Sequence, residues 1–133
     1  MQNEKTGIHL IIIFFDLRNA IIQNGLKVGS VPPNIEVNKV LNYPSAKASF
    51  KDLQNKITIV DFFGTWFVRC LRALPHLTKI KQKFRNDIRI VLVSDESEAQ
   101  LTKFIKAQSG FSFPIIVDEN HQWNYLFQPP SLP

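Results

Sequence analysis

Val60-Asp61-Phe62-Phe63-Gly64-Thr65-Trp66-Phe67-Val68-Arg69-Cys70-Leu71-Arg72-Ala73-Leu74-Pro75-His76-Leu77 is the stretch from which the rest of the chain can be read. It closes a β-rich run, Ile57 to Phe63, that is apolar on both faces, as a central strand covered on each side must be. An aromatic turn follows. From Arg69 to Phe84 apolar residues then recur at Leu71, Leu74, Leu77, Ile80 and Phe84, which is helical spacing with a basic opposite face. Working outward, Ile88 to Ser94 predicts a second strand. Glu96 to Gln108 predicts a helix capped by Asp95 or Ser94, with acidic residues at its positive end. Phe113 to Asp118 reads as a third strand and His121 to Phe127 as a short helix. Upstream, Ser49 suits the cap of a single helical turn, Asn42 to Ser45 a turn, and Ile35 to Val40 a short strand. This alternation predicts an α/β domain with a mostly parallel central sheet and no internal repeats.

The chain has 133 residues, 44% hydrophobic and 20% charged, with a net charge of +5. That excludes intrinsic disorder, and no apolar run approaches the roughly 20 residues of a membrane-spanning helix. One cysteine excludes an internal disulfide and a multi-cysteine zinc site. His9, His76 and His121 are scattered without ligand-like spacing, so no metal and no cofactor is indicated. The basic excess is local. Arg69, Arg72, Lys79, Lys81, Lys83 and Arg85 occur with no acidic residue among them, whereas Asp95, Glu96, Glu98, Asp118 and Glu119 gather later. Without interleaved aromatic residues or a recognised motif this reads as a solvated helix face rather than a nucleic-acid surface.

Ile8 to Phe15 is an apolar run of the length of a signal-peptide core, but Lys5 is offset by Glu4, and Arg18-Asn19-Ala20 is a poor cleavage site. A buried strand or a degraded leader are the alternatives. Gly25 to Asn34, rich in Gly and Pro, is loop-like and marks a boundary. Residues 1–24 are accordingly assigned to a degraded signal-like leader and 25–133 to the folded domain.

The central stretch resembles the thioredoxin superfamily, in particular the TlpA/ResA-like thiol-disulfide oxidoreductases grouped with the AhpC/TSA redoxins. There the strand reads V-D-F-W, the turn A-T-W-C-x-x-C, and a proline lies five residues after the second cysteine. Val60 to Phe63 matches the strand, Thr65-Trp66 the turn, Cys70 the second cysteine and Pro75 the proline. Gly25 to Pro33 resembles the redoxin entry segment. Ser49 to Lys56 resembles S-L-x-D-L-x-G-K with Asn55 for glycine, and Phe113 to Asn120 resembles F-P-x-x-x-D-x-x.

The resemblance implies a thioredoxin-like three-layer α/β sandwich, a thiol or disulfide protein partner, and a place in the cell envelope or periplasm. It also implies roles for particular residues. Phe67 replaces the nucleophilic cysteine, which leaves Phe67-Val68-Arg69-Cys70 without the thiolate that opens the exchange cycle. Cys70 remains as a residual thiol that a buried helical position would keep inert, and Asp61 matches a buried proton acceptor. Trp66, with Phe67 extending an apolar tip, would contact partners. Pro133 would be the proline facing the site, so that the C-terminal hairpin and helix are lacking and a sheet edge is left open. His76 reads as a helix-surface histidine. Dithiol exchange is therefore expected to be lost or impaired. The rivals are a non-catalytic binding module, a gene remnant and, last, a one-cysteine peroxidase, whose P-x-x-x-T-x-x-C loop wants a threonine three residues before the cysteine, where Thr65 lies five before it.

Overall fold

The computed structural model describes the backbone of residues 9–13, and residues 26–27 and 29–129 in full. In chain order the elements are β1 (His9–Ile13), β2 (Glu36–Val37), β3 (Val40–Leu41), β4 (Ala48–Ser49), α1 (Phe50–Leu53), β5 (Ile57–Phe62), α2 (Val68–Phe84), a 3-10 turn (Arg85–Asp87), β6 (Ile88–Ser94), α3 (Glu98–Ala107), β7 (Ile115–Val117) and α4 (Gln122–Phe127). A five-stranded sheet runs β1-β5-β6-β7-β3, and β2 pairs with β4 in a small second sheet. Every pairing in the large sheet is parallel except β3 with β7. This is the thioredoxin-like α/β architecture expected from the sequence.

Alternation along β5 and β6 divides the core into two layers. Val60, Phe62, Val91 and Val93 face Phe50, Leu53, Trp123 and Phe127 from α1 and α4. Ile59, Ile90 and Leu92 face Cys70 and Leu77 of α2, Leu101 of α3, and Phe113. In the first layer the Phe50 ring meets Trp123 edge-on at 4.8 Å between centroids, and Trp123 stacks on Phe127 at 5.5 Å. These geometries suit the charge distribution of aromatic rings.

Several boundaries differ from expectation. The strand predicted over Ile35–Val40 is two short ones, β2 and β3, broken at Asn38-Lys39 so that its halves join different sheets. Helix α3 is capped by Ser97, whose hydroxyl accepts from Gln100 N–H while Gln100 reaches back to Ser97, a reciprocal cap that overrides Asp95 and Ser94. His9–Ile13, within the apolar run read as a leader core, pairs along the β5 edge with His9 opposite Ile57 and Ile13 opposite Asp61. That edge of β5 is therefore covered by β1. The rest of residues 1–24, the boundary at Gly25 and Pro133 lie outside the described residues. Among the described residues no helix is long and apolar enough to cross a membrane.

Candidate functional site

Strand β5 delivers its last residues to a turn from which α2 departs, and β6 braces that turn. Phe63 N–H donates to Val93 O at 2.7 Å. Glu96, just beyond β6, accepts from Thr65 N–H at 2.9 Å and from Thr65 Oγ1 at 2.6 Å, and also from Ser94 Oγ at 3.2 Å. One carboxylate thus holds both donors of Thr65, and hydrogen bonds to an ionised acceptor are the stronger kind. The sequence shows Glu96 only as an acid near a helix start. Its partner is 31 residues away in sequence, and no spacing rule connects the two.

The turn presents Trp66, 60% exposed, and Val68, 55% exposed. Phe67 is half-buried and packs against the core layer that holds Cys70, with its ring 5.5 Å from that of Trp66. The exposed tip is therefore Trp66 with Val68. Phe67 contributes less to it, because the ring of the residue just before the helix folds back over the apolar layer. It is the N-cap of α2, yet makes no side-chain capping bond.

Cys70 is fully buried. Burial pushes its thiol up to about 11; a main-chain hydrogen bond at Gly64 opposes this, and the negative fields of Asp61 and Glu96 add to it. Being one turn into α2 does not offset desolvation. His76, six residues on, is exposed, as expected.

Asp61 is 1% exposed, and among the described residues neither of its oxygens has a hydrogen-bond partner. Burial alone raises its carboxyl to about 8. Asp118 is buried to the same degree, yet its carboxylate accepts from Trp123 N–H, Asn124 N–H and Asn124 Nδ2 at 2.9 to 3.2 Å. Asp118 holds the start of α4. Asp61 has no such structural task, and buried carboxylates without one are costly. No group of three His, Cys, Asp or Glu side chains capable of holding a metal is assembled among the described residues.

The AhpC/TSA family matches residues 28–128. The chain belongs to the AhpC/TSA family. Among its relatives, the thiol-disulfide oxidoreductase ResA of Bacillus subtilis (strain 168) is 29% identical over 126 residues, covering 89% of this chain and 68% of the relative. ResA of Bacillus thuringiensis (strain Al Hakam) is 26% identical over 99 residues, 73% of this chain and 55% of the relative. The thioredoxin-like protein YneN of Bacillus subtilis (strain 168) is 25% identical over 112 residues, 79% of this chain and 64% of the relative. The chain spans little more than half the length of several relatives, 55% for the ResA proteins of Bacillus thuringiensis and Bacillus anthracis. With the sandwich described above, it is a thioredoxin-like member of an AhpC/TSA family that includes thiol-disulfide oxidoreductases.

Proposed function

We propose that this domain keeps the scaffold and protein-contacting turn of a thiol-disulfide oxidoreductase but does not run two-cysteine exchange. The burial of Cys70, with its thiol pushed up to about 11, carries this reading. Exchange needs an exposed thiolate to attack a disulfide sulfur and a second thiol to attack the mixed disulfide and release the reduced partner. At the turn stands exposed Trp66 followed by Phe67, and the single thiol is buried in the core layer against which Phe67 packs. Asp61, with its carboxyl raised to about 8, is mostly protonated at neutral pH and accepts a proton only as pH climbs past that value. It is poorly suited to activate Cys70.

The retained function is contact with a protein partner through Trp66 and Val68, at the turn that Glu96 holds in place. The resemblance supports a cell-envelope location, which an alkaline phosphatase fusion, active only after export, would test.

Reduction of insulin by dithiothreitol tests the redox reading. The natural chain is expected to give no acceleration over dithiothreitol alone, while Phe67→Cys accelerates the reaction and Phe67→Cys with Cys70→Ser loses most of that gain. Acceleration by the natural chain that Cys70→Ser abolishes would overturn the proposal.

A further inference from the structure

Five basic residues of α2, Arg69, Arg72, His76, Lys79 and Lys83, are all exposed and follow one another at spacings of three, four, three and four. At about 100° per residue they fall within about 80° of arc and extend about 21 Å along the axis. This ridge lies opposite Cys70 and Leu77, the buried residues of the same helix. Among the described residues none of the five makes a salt bridge; the ion pairs that do form involve Lys39, Lys56 and His121. Lys83 lies over the Phe84 ring, 5.5 Å from its ammonium to the ring centroid.

The ridge works against its own helix. Arg69 repels Arg72 three residues on and Lys79 repels Lys83 four residues on, and the two arginines stand in the first turns, where the helix dipole disfavours cations. The first turn contains no acidic residue and no side-chain cap to compensate. A negative partner laid along the ridge removes both penalties.

Beside the ridge runs a groove of about 270 Å³, lined on the α2 side by Leu71, Leu74 and Pro75 and across from it by Gly110, Phe111 and Phe113. Lys81 Nζ donates to Ser112 O and approaches Ser112 Oγ, each at 3.2 Å, fastening the far wall to α2. A flat anionic bilayer would meet the ridge but leave this groove empty. A rod with an acidic stripe and an adjoining apolar stripe fills both.

We infer that the ridge and groove of α2 form a docking site for an acidic amphipathic helix of a partner protein. Its carboxylates pair with Arg69, Arg72, Lys79 and Lys83, and its apolar side chains enter between Leu74 and Phe111. This is helix-in-groove recognition with the register set by charge. The surface lies along the flank of α2 and stands whether or not the redox reading above holds.

A displayed library of random peptides of about 20 residues, long enough to follow the whole ridge, tests this with the intact chain as bait. The expected enrichment is for Asp and Glu at three-and-four spacing beside an apolar stripe. Synthetic copies should bind the Arg72→Gln/Lys79→Gln/Lys83→Gln chain at least about tenfold more weakly, because three exposed charges are removed. Pro75→Glu, at the exposed lip of the groove, should weaken them as well. Enrichment without acidic periodicity, or equal binding to the neutralised chain, overturns the inference. So does binding to phosphatidylglycerol vesicles that the neutralised chain loses while no acidic peptide is enriched, an outcome that assigns the ridge to a lipid surface.

Discussion

Asp61 and Asp118 show how one residue type serves two ends within one chain. Asp118 receives three donors and fixes α4, whereas among the described residues Asp61 receives none and holds its proton instead. Its carboxyl sits at about 8 in the fold against an ordinary value of 3.8. Below about pH 4 it is neutral both folded and unfolded and adds no pH dependence to stability. As pH rises from about 4 to about 8 the unfolded chain ionises while the folded one does not, so stability falls across that window, with the loss complete above about pH 8. Unfolding free energies from urea titrations at about pH 5 and pH 8.5 should differ by an amount on the order of a few kcal/mol, and Asp61→Asn should remove most of the difference. Glu96→Ala leaves Thr65 N–H and its hydroxyl without their acceptor and should cost about 1–3 kcal/mol. Faster tumbling of Trp66 in fluorescence anisotropy would report the loosened turn. Asp61 and Cys70 were legible in the sequence because a carboxylate inside an apolar strand and a cysteine on the apolar side of a helix both announce burial. Glu96 was not, since only the parallel placement of β5 beside β6 brings it to Thr65.

Among the elements, those with strong periodicity were legible to within a residue or two: β5, α2 and β6 fall where the apolar pattern puts them. The start of α3 was not, because Ser94, Asp95 and Ser97 are all residues able to cap. The choice rests on Gln100, three residues after Ser97. Ser97→Ala should therefore cost about 1 kcal/mol, and Asp95→Ala should cost the α3 cap nothing. Thermal unfolding followed by circular dichroism separates the two. The strand His9–Ile13 was ambiguous for a different reason. A short apolar run carries no period by which a strand edge could be told from a leader core.

For the molecule as a whole, the two tryptophans report from opposite situations, Trp123 at 2% exposure between Phe50 and Phe127, and Trp66 at the open turn. If the two core layers fold as one unit, urea transitions read by fluorescence and by far-UV circular dichroism should coincide. Phe127→Ala removes a ring that touches Phe50, Phe62 and Trp123, and should shift that transition by about 3–5 kcal/mol. A broad transition, or two separate ones, would count against a shared core. The sheet order has a consequence for synthesis on the ribosome. Its outer strands, β1 and β3, leave the tunnel first, yet β1 must wait for Ile57 and its neighbours and β3 for Ile115 and Ile116. The sheet is finished at its rims by the oldest part of the chain. Nascent protein holding an unpaired His9–Ile13 is therefore the form in which a cell's folding helpers would meet it.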